Sequence, residues 1–402
     1  MRGRVARRCA EVAPSATVAL NDRVQELRAR GTDVLDLGGG DPGFDTPRHV
    51  AVAASKALLA GFTHYTASRG LPELRQAVAE KLRRDNGVDV DPDTQVLVTP
   101  SSKHALFTAL TAVLDPGDEV LVPTPGWGSY GAMARLAGAV PVWAELSPRD
   151  GFAVTRARLD RHVTARTRAL VLNTPHNPTG RVLTAREADA IAGFAAEHDL
   201  MIVTDEVYEK IVFSGEHLSI AARRDCADRT VTVNGFSKGY AMPGWRLGYA
   251  AGPRDVVAAM LAVHQHTVAC AGSFVQAGGV AALRGSQDAL REAAAAYAAR
   301  AALVTRTLNA LPGVVCPPPA GTFYAFADIT GTGIPDGDAF AQALLAEAAV
   351  AVTPGSAFGP GGRGHVRISF ATGAPVLDAA LDRLAAFVRD LAPGRAAPST
   401  GM

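Results

Sequence analysis

Cysteine is rare in this sequence, and its arrangement excludes several kinds of site. The chain has four cysteines among 402 residues, and no two of them form a C-x-x-C pair. Zinc sites and disulfide frameworks need paired or regularly spaced cysteines, so we predict neither. The ten histidines are also dispersed. We therefore expect no metal site and a reducing, cytoplasmic environment.

Excess charge and long apolar runs are lacking as well. The formal net charge is +1, which gives no electrostatic argument for a nucleic-acid partner or an anionic membrane. No apolar run reaches the roughly 20 residues that a transmembrane helix needs. The basic stretch at residues 1–16 is not followed by an apolar core, so we do not expect it to be a secretory signal.

What the sequence does have is the length and the patterning of an α/β protein with two domains. Its 402 residues exceed the size of one typical domain. Between residues 94 and 235, short apolar segments alternate with helical patterns, which is typical of a mainly parallel, buried sheet. Residues 313–391 mix strand and helix patterns and are predicted to form a smaller α+β domain. In α/β sheets, ligands bind at the carboxyl ends of the strands.

Lys238 lies in a polar, glycine-containing turn after one of the apolar segments, and Arg246 follows eight residues later. Burial and a nearby cation both favour the neutral amine of a lysine. The neutral amine is the form that makes a Schiff base with a carbonyl compound, and arginine is suited to a phosphate or a carboxylate. A carbonyl cofactor with a phosphate, such as pyridoxal 5'-phosphate, would need both residues. The alternative is a surface lysine and a structural arginine.

Asp205 ends another apolar segment, and Tyr208 follows three residues later. A buried carboxylate is costly unless it is paired. Asp205 would therefore either cap a helix or hold a protonated pyridine nitrogen, which makes the ring an electron sink. Asn177 lies between Pro175 and Pro178, which restrict the backbone around it. This segment is either a plain connector or places Asn177, together with Tyr208, on the phenolic oxygen of the cofactor.

Three more features come after or within predicted strands. Trp127 stands between two glycines, so its ring either packs in the core or lies flat on a heterocycle. Ser101 and Ser102 open a helix, where they either cap it or bind a phosphate with the backbone N–H groups. Arg367 lies within an otherwise apolar strand and needs an anionic partner. That partner is either a protein carboxylate or the α-carboxylate of a substrate.

Six motifs together give the chain a family resemblance. It resembles the fold-type I pyridoxal-phosphate aminotransferases of class I/II, most closely the aspartate-aminotransferase-like branch, over nearly its full length. The motifs follow the family's order and are GGDPGFDTP, HYTASRGLPELR, LDPGDEVLVPTPGW, NTPHNPTG, VTDEVYE and NGFSKGYAMPGWRLGY. The resemblance implies a large domain with a mainly parallel, seven-stranded sheet between helices, and a smaller α+β domain.

The resemblance also implies a role for each matching residue. Lys238 would be the Schiff-base lysine and would carry a proton between the substrate Cα and the cofactor. Asp205 would pair with the pyridine nitrogen, and Asn177 and Tyr208 with the phenolic oxygen. The other implied contacts are Trp127 on the ring; Ser101, Ser102, Lys103 and Arg246 on the phosphate; Tyr65 on the phosphate of a neighbouring subunit; and Gly40 and Arg367 on the substrate carboxylate, with Asn177 and Trp127 beside the substrate.

Several positions depart from the family pattern. The phosphate loop reads SSKH where many relatives have a glycine, and Gly235 stands where many have a serine. Gly126 replaces an aromatic residue that close relatives often carry before Trp127, which leaves room for a bulkier substrate. No arginine lies near residues 264–266, where a dicarboxylate-specific enzyme would offer one to its partner subunit, so this His-Gln-His stretch could take that role. The identity of the substrate stays open.

These features predict a homodimeric enzyme of amino acid metabolism, which transfers the amino group of an L-amino acid to a 2-oxo acid. The alternative is elimination, cyclisation or oxidation of an amino acid on the same fold. We expect residues 1–46 to form an arm and part of the small domain, and residues 47–290 the large cofactor-binding domain. Residues 291–392 would complete the small domain, and residues 393–402 would be a disordered tail.

Overall fold

Twelve strands form three sheets within residues 4–391, which are the residues that the computed structural model describes. In chain order they are β1 (Leu35–Asp36), β2 (Val96–Thr99), β3 (Glu119–Thr124), β4 (Val140–Glu145), β5 (Thr167–Asn173), β6 (Met201–Asp205), β7 (Thr230–Gly235), β8 (Gly248–Ala251), β9 (Tyr324–Asp328), β10 (Val350–Ala351), β11 (Thr353–Pro354) and β12 (His365–Ser369).

The helices of the same part of the chain connect and cover these strands. They are α1 (Arg7–Ala10), α2 (Ala16–Ala29), α3 (Arg48–Leu59), α4 (Pro72–Lys81), α5 (Ser102–Val113), α6 (Ser129–Leu136), α7 (Arg156–Leu159), α8 (Ala185–Glu197), α9 (Arg254–Thr267), α10 (Ser273–Arg284), α11 (Asp288–Asn309), α12 (Gly337–Ala348) and α13 (Ala374–Asp390). Short 3₁₀ turns lie at Pro148–Asp150, Ile220–Ala222, Ala227–Arg229, Gly355–Phe358 and Pro360–Gly362.

The largest sheet has seven strands in the order β2-β8-β7-β6-β5-β3-β4. Neighbouring strands from β7 to β4 run parallel, whereas β8 is antiparallel to both β2 and β7. The prediction of a mainly parallel seven-stranded sheet is therefore confirmed. Because the connections between parallel strands run through helices, both faces of the sheet are covered and most of its strands are apolar throughout.

Side chains alternate between the two covered faces of this sheet. Val120 and Val122 of β3 pack in a core with α5 and α6, whereas Leu121 between them packs in a second core with α8. The alternation follows from the period of two residues in a strand. Because β5 and β6 run parallel, they end at the same edge of the sheet, where Asn173 and Asp205 are their last residues.

A π-helical turn, Leu82–Asn86, directly continues helix α4. Gly87 with φ +66° ends this turn in the left-handed region. A wider turn of this kind is rare and is often found near functional sites. It places the side chain of Asn86 inside the protein.

The smaller unit combines the N-terminal and C-terminal parts of the described chain. Strand β1 pairs in parallel with β10, and β11, β12 and β9 form an antiparallel sheet. Its core is rich in aromatic residues and includes Phe323 and Phe340. Helix α11 packs against β9, and α13 packs against β1 and β10. The predicted α+β character of this region is confirmed.

The stretch from β8 to α10 and the position of α11 both bear on the predicted organisation. The stretch from β8 to α10 had no assignment from the sequence, since β8 consists only of a glycine, a tyrosine and two alanines and lacks the β-branched residues typical of strands. Helix α11 runs across the predicted boundary at residue 290, and the domain boundaries stay a prediction.

No described helix has both the length and the apolar character to cross a membrane. The predicted tail lies outside the described residues.

Candidate active site

A pocket of about 570 Å³ opens where the carboxyl ends of the parallel strands meet the smaller unit. It brings together residues that lie up to 350 positions apart in the chain, from Thr17 to Arg367. Ten of the predicted site residues line it: Gly40, Ser102, Lys103, Trp127, Asn177, Asp205, Tyr208, Lys238, Arg246 and Arg367. Ser101 and Tyr65 do not.

Lys238 follows β7 and points into this pocket. Its Nζ donates to the backbone carbonyl oxygen of Gly40 at 2.7 Å. A Cβ at position 40 would lie 2.9 Å from the hydroxyl oxygen of Tyr324 and 3.7 Å from the Lys238 Nζ. A side chain at position 40 would displace the Tyr324 hydroxyl, and glycine leaves room for this close approach of the backbone. The half-buried amine can reach any carbonyl group bound in the pocket.

Asp205 is a buried carboxylate without a cation. The Tyr130 hydroxyl donates to its Oδ2 at 2.8 Å, and the Val207 N–H donates to its Oδ1 at 3.3 Å. Burial raises the pKa of Asp205 to about 6, although both hydrogen bonds and the charge of Lys238 lower it. Among the described residues, Asp205 forms no ion pair. A cationic ring nitrogen is the kind of group that would complete this environment.

Arg367 is the opposite case, because it is a buried cation without an anion. Its Nη1 donates to Asn177 Oδ1 at 3.0 Å, and its Nη2 donates to the Gly38 carbonyl oxygen at 2.6 Å and to Thr353 Oγ1 at 3.3 Å. Its Nε is buried and has no partner within the described part of the chain. The ring of Tyr324 lies 4.1 Å from the guanidinium carbon. These contacts favour an anionic ligand over the structural salt bridge.

Two hydrogen-bond donors face the region between Asp205 and Arg367. Asn177 uses its Oδ1 for Arg367, which leaves its Nδ2 as a donor. The hydroxyl of Tyr208 lies 3.0 Å from that of Tyr324. Burial, with Tyr324 beside it, raises the pKa of Tyr208 far above its usual range, so the phenol keeps its proton. Both side chains can donate to an oxygen anion.

The start of α5 has the geometry of an anion site. A Cβ on Gly248 would lie 2.3 Å from the backbone nitrogen of Ser102, so the strand and the helix start approach closely only because position 248 is glycine. Ser101 has φ +96°, and its hydroxyl accepts a hydrogen bond from the His104 N–H at 3.4 Å. Ser101 is thus the helix N-cap, while Ser102 and Arg246 line the pocket.

Lys103 adds a further cation that lacks a counter-ion. Its Nζ lies 5.1 Å from the centre of the Trp127 ring. Burial lowers the pKa of Lys103, and the charges of Arg246 and Lys238 lower it further. Within residues 4–391, no carboxylate forms an ion pair with Lys103. Four cations of the described residues therefore face the pocket. Of the three aspartates that line it, Asp36, Asp41 and Asp205, only Asp205 is buried.

Several residues of the pocket were missed by the sequence reasoning. Tyr130 and Asn173 hold Asp205: the Asn173 Nδ2 donates to the Asp205 carbonyl oxygen at 2.9 Å. Tyr324 contacts Tyr208 and Arg367, and Ser237 lines the wall beside Lys238. The signal for Asn173 was available, because β5 ends in it as β6 ends in Asp205. Tyr324 had no comparable signal, since it lies within a strand of ordinary apolar character.

One expectation about the dimer is wrong for His264. This residue is buried on α9, and its ring lies 5.3 Å from that of His104 within the same subunit. Burial lowers the pKa of His264 to about 4, with His104 adding to the effect. His264 is therefore a neutral core residue that cannot offer a charge to a partner. A helix places it and His266 on different sides, as their exposures show.

The family is decided by a comparison with known proteins. The model of the family described as aminotransferase class I and II matches residues 32–384. The chain belongs to this family. An aspartate aminotransferase of Musicola paradisiaca is 45% identical over 382 residues, which are 95% of this chain and 96% of that protein. An aspartate/prephenate aminotransferase of Thermus thermophilus is 45% identical over 389 residues, which cover 96% of this chain and 98% of that one.

Solved structures agree with this membership of the aminotransferase family. The aspartate aminotransferase of Thermus thermophilus, determined with maleate, superposes with a TM-score of 0.91 at 44% identity and covers 96% of this chain and 100% of its own. The fold is therefore the fold-type I α/β fold. The chain is a transferase of amino groups that uses pyridoxal 5'-phosphate, and the alternative outcomes of elimination, cyclisation or oxidation are not favoured.

The residues of the pocket fit this cofactor. Within the described residues Asp205 has no cation and Arg367 has no anion, and Ser102 at the start of α5 lines the pocket beside Arg246. When bound, the cofactor supplies a ring that accepts the electrons of a substrate bond to Cα, which makes the proton on that carbon removable. What remains for the protein is to position the groups and to move protons.

Proposed function

We propose that this aminotransferase takes its amino group from aspartate and passes it to a 2-oxo acid, with the residues of the pocket in the roles set out here. The observation that carries the proposal is that Lys238, Asp205 and Arg367 face one pocket, in which neither Asp205 nor Arg367 has a counter-ion. A cofactor with a basic ring nitrogen and a substrate with an α-carboxylate would supply both of the missing charges.

Each of these residues would perform one task. Asp205 would hold a proton on the ring nitrogen, which is the condition for the ring to withdraw electrons. Arg367 would bind the α-carboxylate as a bidentate pair and so orient the Cα–H bond. The amine of Lys238 would take the proton from Cα and return it on the cofactor side. Asn177 and Tyr208 would donate to the phenolic oxygen.

Two observations support a dicarboxylic donor. The relatives named above are called aspartate and aspartate/prephenate aminotransferases, and the solved relative was determined with maleate, a dicarboxylate. In this chain, Lys103 lies over the face of Trp127 without a carboxylate partner within residues 4–391. We infer that Lys103 pairs with the side-chain carboxylate of the donor, whereas the sequence alone assigned it to the phosphate.

Lys103→Met separates these two roles of Lys103. If Lys103 binds the donor's second carboxylate, the substitution should raise the KM for aspartate by about 10-fold to 100-fold, as expected for one lost charged hydrogen bond. The KM for an apolar donor such as phenylalanine, and the affinity for the cofactor, should stay within about twofold. A cofactor affinity that falls while all donors are affected alike would return Lys103 to the phosphate.

The proposed donor is tested by adding single amino acids to the purified protein without an acceptor. Aspartate should bleach the visible band of the bound cofactor and release one equivalent of the corresponding 2-oxo acid, and a 2-oxo acid should restore the band. If aspartate leaves the band unchanged while another amino acid bleaches it, the enzyme is an aminotransferase with a different donor.

We also propose that the active enzyme is a homodimer. The supporting surface is a groove between α3 and α10 that includes Ala54, Leu58 and Phe274. Leu59, the last residue of α3, is 86% exposed, and Tyr65, six residues later in the chain, is 89% exposed. Exposed apolar surface of this kind marks an interface. A second copy would cover it and bring Tyr65 towards the phosphate of its neighbour. Leu59→Asp should give a monomer in analytical ultracentrifugation, whereas a wild-type protein that sediments as a monomer would contradict the proposal.

We further propose that the enzyme works in the cytoplasm. All four cysteines are free thiols, and two of them, Cys226 and Cys316, are buried. Free thiols persist in a reducing compartment. Fractionation of the source cells with an antibody against the protein would test this localisation.

A further inference from the structure

The stretch of residues 205–209 has a second face, which points away from the cofactor pocket. Asp205 and Tyr208 line the pocket, whereas the side chains of Glu206 and Glu209 extend to the other side of the chain. Glu206 is fully buried, and the side chain of Glu209 is 6% exposed. Two neighbouring carboxylates that are this deeply buried require partners.

Glu206 has a donor for each of its oxygen lone pairs. Its Oε1 accepts from the hydroxyls of Ser219 at 2.8 Å and Thr204 at 3.4 Å. Its Oε2 lies 3.2 Å from Asn86 Nδ2 and 3.0 Å from His217 Nε2. These donors come from three different places in the chain, so the position of the Glu206 carboxylate is determined from several directions.

Glu209 is connected to the same group of residues. Its carboxylate forms an ion pair with Lys81, and its Oε2 accepts from Asn86 Nδ2 at 2.8 Å. Lys81 also donates from Nζ to Asn86 Oδ1 at 2.6 Å. The single amide group of Asn86 therefore bridges the carboxylates of Glu206 and Glu209 and is itself held by the buried Lys81. We call Lys81, Asn86, Glu206, Glu209 and His217 the bridging network.

The carboxylates of the bridging network have partners from the protein itself. Glu206, Glu209 and His217 lie close enough to hold a metal ion. The ammonium group of Lys81, however, already contacts Glu209 and supplies one positive charge at this place. The Nε2 of His217 lies 3.0 Å from Glu206 Oε2 on the other side of the cluster. A metal site is therefore not needed to explain this cluster.

Tyr208 lies in the turn that the bridge closes. The Glu209 N–H donates to the Glu206 carbonyl oxygen at 3.0 Å, so residues 206–209 form one tight turn with Tyr208 inside it. The Asn86 amide joins the side chains at the two ends of this turn. Asp205 directly precedes it. Movement of the turn would consequently shift the two groups that face the cofactor ring.

We propose that the bridging network is a positioning network, in which Asn86 and Glu206 hold the hydroxyl of Tyr208 and the carboxylate of Asp205 at their places against the cofactor. The proposal rests on the functions proposed above for Asp205 and Tyr208. It assigns a role to the π-helical end of α4, because the wider turn brings both Lys81 and Asn86 to the back of the site. None of the five network residues lines the pocket, so their role is one of positioning and not of catalysis.

Two variants test the proposal in the full-length protein loaded with cofactor. Asn86→Ala removes the bridge, and Glu206→Gln keeps the shape of the side chain but removes its charge. Each should raise the dissociation constant of pyridoxal 5'-phosphate by about tenfold, the size of effect expected from supporting residues around a bound group. With Tyr208 held less firmly, the proton of the cofactor's Schiff base with Lys238 should be retained to higher pH. The midpoint of the visible absorption titration should rise by about half a pH unit, which is a threefold change in proton binding.

Glu119→Gln is the matched control. Glu119 is also a buried carboxylate, bonded to Thr164 and Arg166, but it lies at the start of β3, away from the edge that carries the site. The Glu119→Gln substitution should lower the unfolding temperature without changing the titration midpoint or the cofactor affinity. Ser219→Ala is the mild variant in case Asn86→Ala fails to fold, since it removes one hydrogen bond to Glu206 and should shift the midpoint in the same direction.

The outcomes separate the inference from the proposed function. The network is only structural if its variants behave like Glu119→Gln. In that case the unfolding temperature would fall, but the titration midpoint and the cofactor affinity would stay unchanged, in Asn86→Ala, Glu206→Gln and Ser219→Ala. If a shift occurs in Glu119→Gln as well, the readout reports global stability and the inference fails. If the Lys238→Ala protein keeps the wild-type cofactor spectrum, the proposed role of Lys238 fails instead.

Discussion

The two faces of residues 205–209 differ in how their buried charges are balanced. On the pocket side, Asp205 accepts hydrogen bonds from Tyr130 and from a backbone N–H but has no cation within the described chain. On the other side, Glu206 and Glu209 have an ammonium group, an imidazole and an amide around them. Burial is nearly the same on both faces. What marks the binding face is therefore the missing counter-ion.

The same difference appears among the cations. Lys81 is fully buried and has its carboxylate, whereas Arg367 is 2% exposed and is held only by neutral oxygens and aromatic rings. A cation in neutral surroundings costs stability in the free protein, and this cost is recovered when an anionic ligand binds. The unpaired charges of the pocket are thus available to ligands, whereas the charged groups of the bridging network contact one another.

The largest expected effect is the loss of catalysis in Lys238→Ala. Removal of the amine that takes the Cα proton should lower kcat by about 10⁴-fold, the upper range for a positioned acid or base. Lys210→Ala is the control, because Lys210 lies two residues from Tyr208 but is bonded to Asp85 outside the pocket. Steady-state kinetics with aspartate would measure both. Activity of Lys238→Ala within tenfold of wild type would remove this residue from the chemistry.

The second effect concerns the balanced face. Lys81→Met should lower the free energy of unfolding by about 3–5 kcal/mol, because it leaves a buried carboxylate without its partner. Adding Glu209→Gln should recover a large part of this loss. Urea unfolding of the two variants and of Glu209→Gln completes the cycle. If the losses of unfolding free energy in the two single variants add up to the loss in the double variant, the charges of Lys81 and Glu209 are not coupled.

The third effect should have the opposite sign. Asp205→Asn should stabilise the cofactor-free protein by about 2 kcal/mol at neutral pH, since it removes an unpaired buried charge. The folded-state pKa of about 6 exceeds the unfolded value, so the contribution of Asp205 is fully present below about pH 4 and is lost as the pH rises through 6.

Urea unfolding of the cofactor-free protein between pH 4 and pH 7 would follow this loss. The decrease of the unfolding free energy with pH should be smaller in Asp205→Asn than in wild type. The transaminase activity of this variant should fall. A variant that is less stable than wild type at neutral pH would indicate that Asp205 is balanced in the free protein, and the contrast between the two faces would then be wrong.

The smallest expected effect is at Ser101, on the pocket side. Its φ of +96° lies in a region that glycine adopts more easily than any other residue. Ser101→Gly should stabilise the cofactor-free protein by about 1 kcal/mol, after the loss of the weak cap to His104. Thermal unfolding would measure this change. A lower melting temperature would show that the cap outweighs the backbone strain.

Much of the fold followed from local patterns. The strands of the large sheet between β2 and β7 were predicted because their apolar runs are bounded by turns, and Asp205, Lys238 and Arg367 were selected because charged residues beside apolar strands are unusual. The antiparallel β8 was missed because it is short and poor in β-branched residues. Tyr324 was missed because its partners, Tyr208 and Arg367, are distant in sequence or lie on another strand.

The sequence by itself determined which elements form and which polar groups end them, since these depend on neighbours within a few residues. It selected Asp205 at the end of an apolar strand but assigned no role to the adjacent Glu206. Only the tertiary structure decided that Glu206 meets Asn86 and His217 while Asp205 faces the pocket without a cation. Whether a buried charge is neutralised depends on residues brought together from distant parts of the chain, and local sequence carries no information about them.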